Sequence, residues 1–204
     1  MSFETNEQKA CYGMGLQVGM QLRQNMFEGF DVDAVAAGIA TAINNEKAQV
    51  SDEDIQAAFQ VISQRIQEER AKQAEGLKAD GEAYLAENAK KDGVTVTESG
   101  LQYEIITEGS GETPTAESKV RTHYHGTFID GKVFDSSYDR GQPAEFPVGG
   151  VIKGWTEALQ MMPVGSKWRL HIPYNLAYGE QGSQGAIPPY AALVFDVELL
   201  EIVG

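Results

Sequence analysis

The chain has 204 residues, 42% hydrophobic and 23% charged, which excludes a disordered or low-complexity protein. Its formal net charge of −14 repels phosphate backbones and anionic lipid, so neither nucleic acid nor membrane is an expected partner. The lone cysteine, Cys11, excludes an internal disulfide, and no run approaches the ~18 apolar residues of a membrane span. With the polar start from Met1 to Lys9, these features make the cytoplasm the expected location.

Residues 1–50 read as helical. Cys11, Met14, Gly15, Val18 and Leu22 recur at spacings of three and four, which is one face of a helix. A second helix opens at an Asp31 or Asp33 cap and carries Val32, Val35, Ala36, Ile39 and Ile43. Two such helices are too small to shield both stripes, and no metal ligands or disulfides support them. A partner chain is the expected cover, so residues 1–50 are read as a dimerisation domain. Gly13, Gly15 and Gly19 each cost ~1 kcal/mol within a helix, which suggests a backbone pressed against another helix.

Residues 51–92 read as one long connecting helix. Ser51 and Asp54 give it an S-x-x-D start, and Ile55, Phe59, Ile62 and Ile66 form its stripe. Beyond Ile66 it turns polar, with Glu68–Lys72 and Glu87–Lys91 as candidate ion pairs. At ~1.5 Å per residue it is expected to span ~63 Å.

From Gly93 the period switches to two. Leu101 to Ile105 alternates, and Val120–Phe128 and Leu193–Ile202 are rich in β-branched and aromatic residues. Asp130-Gly131 marks a tight hairpin turn, and a short helix is expected over Gly154–Met161. Residues 93–204 therefore form an antiparallel sheet with one helix, and the whole chain falls in class α+β.

The common catalytic motifs are missing: there is no G-x-S-x-G, H-E-x-x-H or Walker loop. Gly179, Gly182 and Gly185 open no helix and do not make a phosphate cradle. His123 and His125 share a strand face, and a zinc site with His171 competes there with three ordinary surface histidines; the second reading is preferred, so no metal and no cofactor are expected. What stands out is a set of rings from separate segments beside a few polar groups. Each ring alone reads as core; together they are able to line an apolar ligand pocket.

Six blocks in residues 101–202 resemble the FKBP-type peptidyl-prolyl isomerases: Tyr124-His125-Gly126, Gly131 to Ser137, Val151 to Trp155, Ala177-Tyr178-Gly179, Ile187-Pro188-Pro189 and Leu193 to Leu200. The helical front and long helix are similar to the dimeric bacterial branch that includes the macrophage infectivity potentiator proteins. The resemblance implies a half-wrapped antiparallel sheet around a short helix. It implies that Trp155 is the floor of a proline pocket, with Tyr124, Phe134, Phe146, Val151, Ile152, Ile187 and Phe195 as walls. Asp135 and Tyr178 would be its polar groups, with Tyr178 and the Ile152 N–H bonding the substrate and Arg140 holding Asp135 and Tyr124. Asp135, Tyr178, Tyr124, Phe134, Trp155 and Phe195 would be the catalytic set; Phe146, Val151, Ile152, Ile187 and Arg140 would bind substrate. Ala144 stands where an aromatic is common, and Ser183 where a histidine is, which affects the rim and the expected binding of macrolide inhibitors.

The chemistry fits these residue types. Rotating an X–Pro bond requires loss of amide resonance, with a barrier of ~20 kcal/mol, and needs neither nucleophile nor metal. The implied protein is a homodimeric isomerase acting on unfolded or partly folded proline-containing proteins. The competing reading is a chaperone-like binder whose pocket only grips such clients; the presence of both Asp135 and Tyr178 favours catalysis.

Overall fold

The computed structural model describes residues 3–183 and 185–203. Met1, Ser2, Gln184 and Gly204 lie outside the described residues, including the first two of the polar start. The chain divides into two compact units, residues 1–69 and 70–204.

In the first unit, α1 (Asn6–Arg23) opens on a capping box. The Gln8 N–H donates to the Thr5 hydroxyl at 3.2 Å, and the Gln8 side chain accepts from the Thr5 N–H. Asp31 caps α2 (Val32–Ile43), accepting from the Asp33 and Ala34 amides at 2.8 and 3.0 Å. Ser51 starts α3 (Asp52–Asn88), its hydroxyl accepting from the Asp54 N–H at 3.1 Å. Each cap satisfies amides that the first helical turn leaves open. The expected backbone contact at Gly13, Gly15 and Gly19 is not made among the described residues: a Cβ at any of them would meet none of their atoms within 4 Å. No residue of α1 or α2 is buried.

The long helix ends at Asn88, short of the expected Asp92. Its side-chain pairs also differ. Lys90, in the turn that follows, bonds Glu87 at 2.6 Å, and Gln64 donates to Glu68 at 3.0 Å. Residues 70–88 of α3 belong to the second unit, whereas the change of period in the sequence places the boundary at residue 93.

The second unit is a seven-stranded antiparallel sheet of β1 (Thr95–Val96), β2 (Gln102–Thr107), β3 (Lys119–Phe128), β4 (Val133–Ser136), β5 (Ala144–Pro147), β6 (Lys167–Ile172) and β7 (Leu193–Ile202). The order is β1-β2-β6-β7-β3-β4, and β5 pairs with the first half of β3 while β4 pairs with the second. Between β5 and β6 lies α4 (Lys153–Leu159). Val120, Thr122, Tyr124 and Gly126 of β3 alternate inward, as do Leu193, Phe195, Val197 and Leu199 of β7. They pack with Trp155, Ala158 and Leu159 of α4, so the core sits between sheet and helix. The β3–β4 turn follows the Asp130-Gly131 signal. The Gly131 N–H donates to the Phe128 carbonyl at 3.0 Å, and Gly131 takes φ +86°, where a side chain is strained.

Three polar links hold the end of α3 to the sheet. Asn88 donates to the Gln102 side chain at 3.0 Å, and Gln102 donates to the Leu85 carbonyl at 2.8 Å. The Tyr84 hydroxyl lies 2.7 Å from His171 Nδ1. His171 is thus not a surface histidine: it is buried, with Glu104 2.7 Å from its Nε2. Burial holds its pKa below the ordinary value, against the pull of Glu104. His123 and His125 each bond a serine, Ser137 and Ser136. Among the described residues no cluster of three metal-ligating side chains occurs, and no helix is long and apolar enough to cross a membrane.

Candidate active site

Four rings meet at the N-terminus of α4. Trp155, in its first turn, receives Tyr124 of β3, Phe146 of β5 and Phe195 of β7 at centroid distances of 5.3, 5.8 and 5.3 Å. All three stand at 81° to 85° to the indole, the edge-to-face geometry aromatic quadrupoles favour. Phe134 of β4 meets Phe195 edge-on at 5.4 Å. This approach depends on the missing side chain of Gly126: a Cβ there would lie 2.7 Å from the Phe195 ring and 2.8 Å from the Phe134 ring.

The rings enclose an open hollow of about 310 Å³. Tyr124, Phe134, Asp135, Phe146, Val151, Ile152, Trp155, Tyr178 and Phe195 all line it, with Gly150 in addition. Ile187 does not: it is buried in the core, outside the lining. Ala144 packs against the core from β5, and the Ser183 N–H donates to the Ile187 carbonyl at 2.8 Å; neither lines the hollow.

The polar edge is a closed triad. The Tyr124 hydroxyl donates to Asp135 Oδ2 at 2.6 Å and accepts from Arg140 at 2.7 Å, while Arg140 also bonds Asp135 Oδ1. Partial burial pushes the Asp135 carboxyl up, but the Tyr124 hydroxyl and the Arg140 guanidinium prevail and hold it below the usual carboxylate value. Burial, with the bond to Asp135, raises Tyr124, so it stays a neutral donor. Arg140 lies outside the lining and acts through these two side chains.

Two donors are left open. The Tyr178 side chain is 40% exposed, and its hydroxyl bonds none of the described residues; burial and the nearby Asp135 charge raise its pKa, which keeps it protonated. The Ile152 N–H, at the cap of α4, likewise donates to none of the described residues, while the Ile152 carbonyl accepts from Trp155 and Thr156.

Residues that the sequence does not single out lie behind the triad. The buried Ser137 hydroxyl accepts from the Tyr124 N–H at 2.7 Å, and the Ser137 N–H donates to the Tyr124 carbonyl at 2.9 Å. Ser137 thereby pins the segment that carries Asp135 and Arg140. Its bond to His123 Nδ1, at 2.9 Å, continues the network to the far face of β3.

Comparison with known proteins gives the same reading. Residues 110–200, which include every residue of the hollow, match the FKBP-type peptidyl-prolyl cis-trans isomerase family, and residues 7–105 match the domain amino-terminal to it. The FKBP-type 22 kDa peptidyl-prolyl cis-trans isomerase of Escherichia coli strain K12 is 52% identical over 202 residues, 99% of this chain and 98% of the relative. The chain belongs to the FKBP-type peptidyl-prolyl cis-trans isomerases. The FkpA crystal structure from Escherichia coli matches this isomerase with a TM-score of 0.74 at 38% identity, covering 98% of each chain. The outer membrane protein MIP of Legionella longbeachae is 37% identical over 98% of this chain and 88% of its own length. The isomerase activity follows from this membership; the roles of individual residues rest on their geometry.

Proposed function

We propose that this isomerase works as a homodimer on X–Pro bonds of unfolded or partly folded proteins, by a non-covalent mechanism in the ring-lined hollow. The observation that carries the mechanism is the pairing of apolar walls with two open donors, Tyr178 Oη–H and Ile152 N–H. A planar amide is more charge-separated than a twisted one, so an apolar enclosure disfavours the planar ground state more than the transition state. The prolyl ring sits over Trp155, between Phe134, Phe146 and Phe195. Tyr178 and the Ile152 amide donate to substrate carbonyls and fix the chain on either side of the rotating bond. Asp135, kept ionised and locked by Tyr124 and Arg140, faces the twisting amide as a fixed charge. No proton is transferred and no bond is made to the protein.

The dimer is proposed through residues 1–50. Met14, Val18, Val32, Ile39 and Ile43 are all exposed in the single chain, and a second copy is the cover that needs no further component. Two linked sites raise the effective concentration of one client at both. The cytoplasmic location expected from the lone Cys11 belongs to the same proposal; cell fractionation tests it.

The deciding experiment follows cis-to-trans conversion of a proline tetrapeptide with and without a macrolide inhibitor. Turnover that the macrolide abolishes is expected. Suppressed aggregation of a proline-free client with no peptide turnover would favour the gripping reading instead. Light scattering tests the dimer: deletion of residues 1–50 is expected to halve the mass, and a monomeric full-length chain would end that part.

A further inference from the structure

A second hollow, of about 620 Å³, lies in the same unit and shares no lining residue with the first. Its apolar lining comes from Leu77 of α3, from Phe128 and Ile129 at the β3–β4 turn, and from Ala186, Pro188 and Ala192 before β7. The isomerisation chemistry at Trp155 makes no use of it.

Two structural elements connect it to the active site. Phe128 faces this hollow and Phe134 faces the first; their centroids are 5.1 Å apart, so one ring pair separates the two. Tyr178 borders the first, and Ala186 and Pro188, a few residues on, border the second. A wall this thin is crossed by about two to three extended residues at ~3.3 Å each. The rim carries Asp80, Asp130 and Lys132, one net negative charge. Among the described residues neither acid is paired with a cation. A site of this make-up takes apolar residues and accepts a basic neighbour, while it repels an acidic one.

We infer that this hollow is a second substrate subsite, which holds apolar residues of an extended client a few positions from the isomerised proline. The inference rests on the proposed use of the first hollow for the prolyl ring. Its contribution is to binding and not to rotation: it lowers KM for long substrates and leaves a tetrapeptide, which cannot reach it, unaffected. Interactions away from the reacting bond are felt this way when they act equally on ground and transition states.

The test uses the full chain and two substrates with the same X–Pro bond: a tetrapeptide, and a sixteen-residue peptide with leucines two to four positions away on either side. The variants are the pair Leu77→Gln with Ile129→Thr, and separately Ala186→Asp, which adds a charge at an exposed position. Expected is a five- to tenfold rise in KM for the long peptide in both variants, with tetrapeptide kcat/KM within twofold of the parent. That tetrapeptide value also reports that the variants fold. An unchanged KM for the long peptide overturns the subsite. A parallel loss on both substrates overturns it too, because the hollow then only supports the fold. A changed mass in light scattering with unaltered long-peptide kinetics assigns the hollow to a second copy instead. A parent chain with no tetrapeptide turnover fails earlier, at the isomerase mechanism, and is thereby told apart.

Discussion

The two units of the chain use similar apolar residues to different ends. In residues 1–69 the helices are well capped, yet Ile43 is 78% exposed, Met14 66% and Phe59 65%. In residues 70–204 the strands, α4 and the loops between them bury eighteen hydrophobic side chains in one cluster among the described residues. Caps at Thr5, Asp31 and Ser51 are local and finish a helix end with side chains no more than three residues apart. A core needs residues distant in sequence, and only the second unit brings them together within one chain. Local structure is therefore complete in both units, and tertiary structure in one.

The strongest challenge to this contrast is to ask where self-sufficiency begins. A fragment of residues 70–204 keeps Tyr84, Leu85 and Asn88; a fragment of 93–204 loses them. Buried Gln102 and His171 then lose partners, and each unsatisfied buried group costs roughly 1–3 kcal/mol. The Gly81 contact is also lost, where a Cβ would stand 3.1 Å from that of Ala192. Urea unfolding is expected to show the shorter fragment less stable by about 3–5 kcal/mol. Equal midpoints would mean that the helix end is an appendage.

A second test separates the units by function. Asp135→Leu leaves the Tyr124 hydroxyl and the Arg140 guanidinium without their shared acceptor. Tetrapeptide kcat/KM is expected to fall about tenfold to a hundredfold, ~1.4–2.8 kcal/mol of transition-state stabilisation. The mass in light scattering should not change, because residues 1–50 are untouched. In the parent, Asp135 sits below the usual carboxylate value, so it stays ionised until the pH falls below the ordinary carboxylate range. Turnover should be level from pH 8 down to that region and drop beneath it. A fall beginning near pH 6 would remove Asp135 from the mechanism.

How much of this is legible in the sequence follows from distance along the chain. β3 and β7 are readable because each buries alternate residues over ten positions. β4 and β5 have four residues each, too few to show a period, and β6 buries Leu170, His171 and Ile172 in succession. The rings of the hollow emerge through blocks that resemble a family, not through spacing, since they come from separate elements. Ile187 comes from such a block too, but it lies in the core outside the lining of the hollow, and its main chain bridges to Ser183. Ser137 and Tyr84 are invisible because their partners are set by strand register and helix docking, Tyr84 and His171 being 87 residues apart.

A smaller effect is expected at Ser137, inside the complete unit. Ser137→Ala strands the buried Tyr124 N–H and frees one partner of His123. The loss of one buried hydrogen bond predicts a destabilisation of about 1–2 kcal/mol in urea. Turnover should fall less than in Asp135→Leu, because the Ser137 main-chain bond to Tyr124 survives. A variant as stable as the parent would show that the hydroxyl does not hold the segment.

The smallest effect is the most specific to the docked helix end. Burial keeps His171 neutral, so its Nε2–H donates to Glu104 while Nδ1 accepts from the Tyr84 hydroxyl. Lys91 and Arg169 face the same ring and also disfavour its charged form, whereas Glu104 favours it. A base whose folded pKa is depressed binds fewer protons in the native state than in the unfolded one. Stability is then fully present above the unfolded value of ~6.5 and declines as pH falls from there toward the folded value. One such group is limited to a slope of ~1.4 kcal/mol per pH unit, so a small fall in stability is expected between pH 7.5 and 5.5. His171→Gln, which cannot titrate, should lose this part of the slope while the remainder persists. If the parent and the variant lose stability in parallel over that range, His171 does not titrate with folding, and the buried bond to Tyr84 has to be read as indifferent to its protonation.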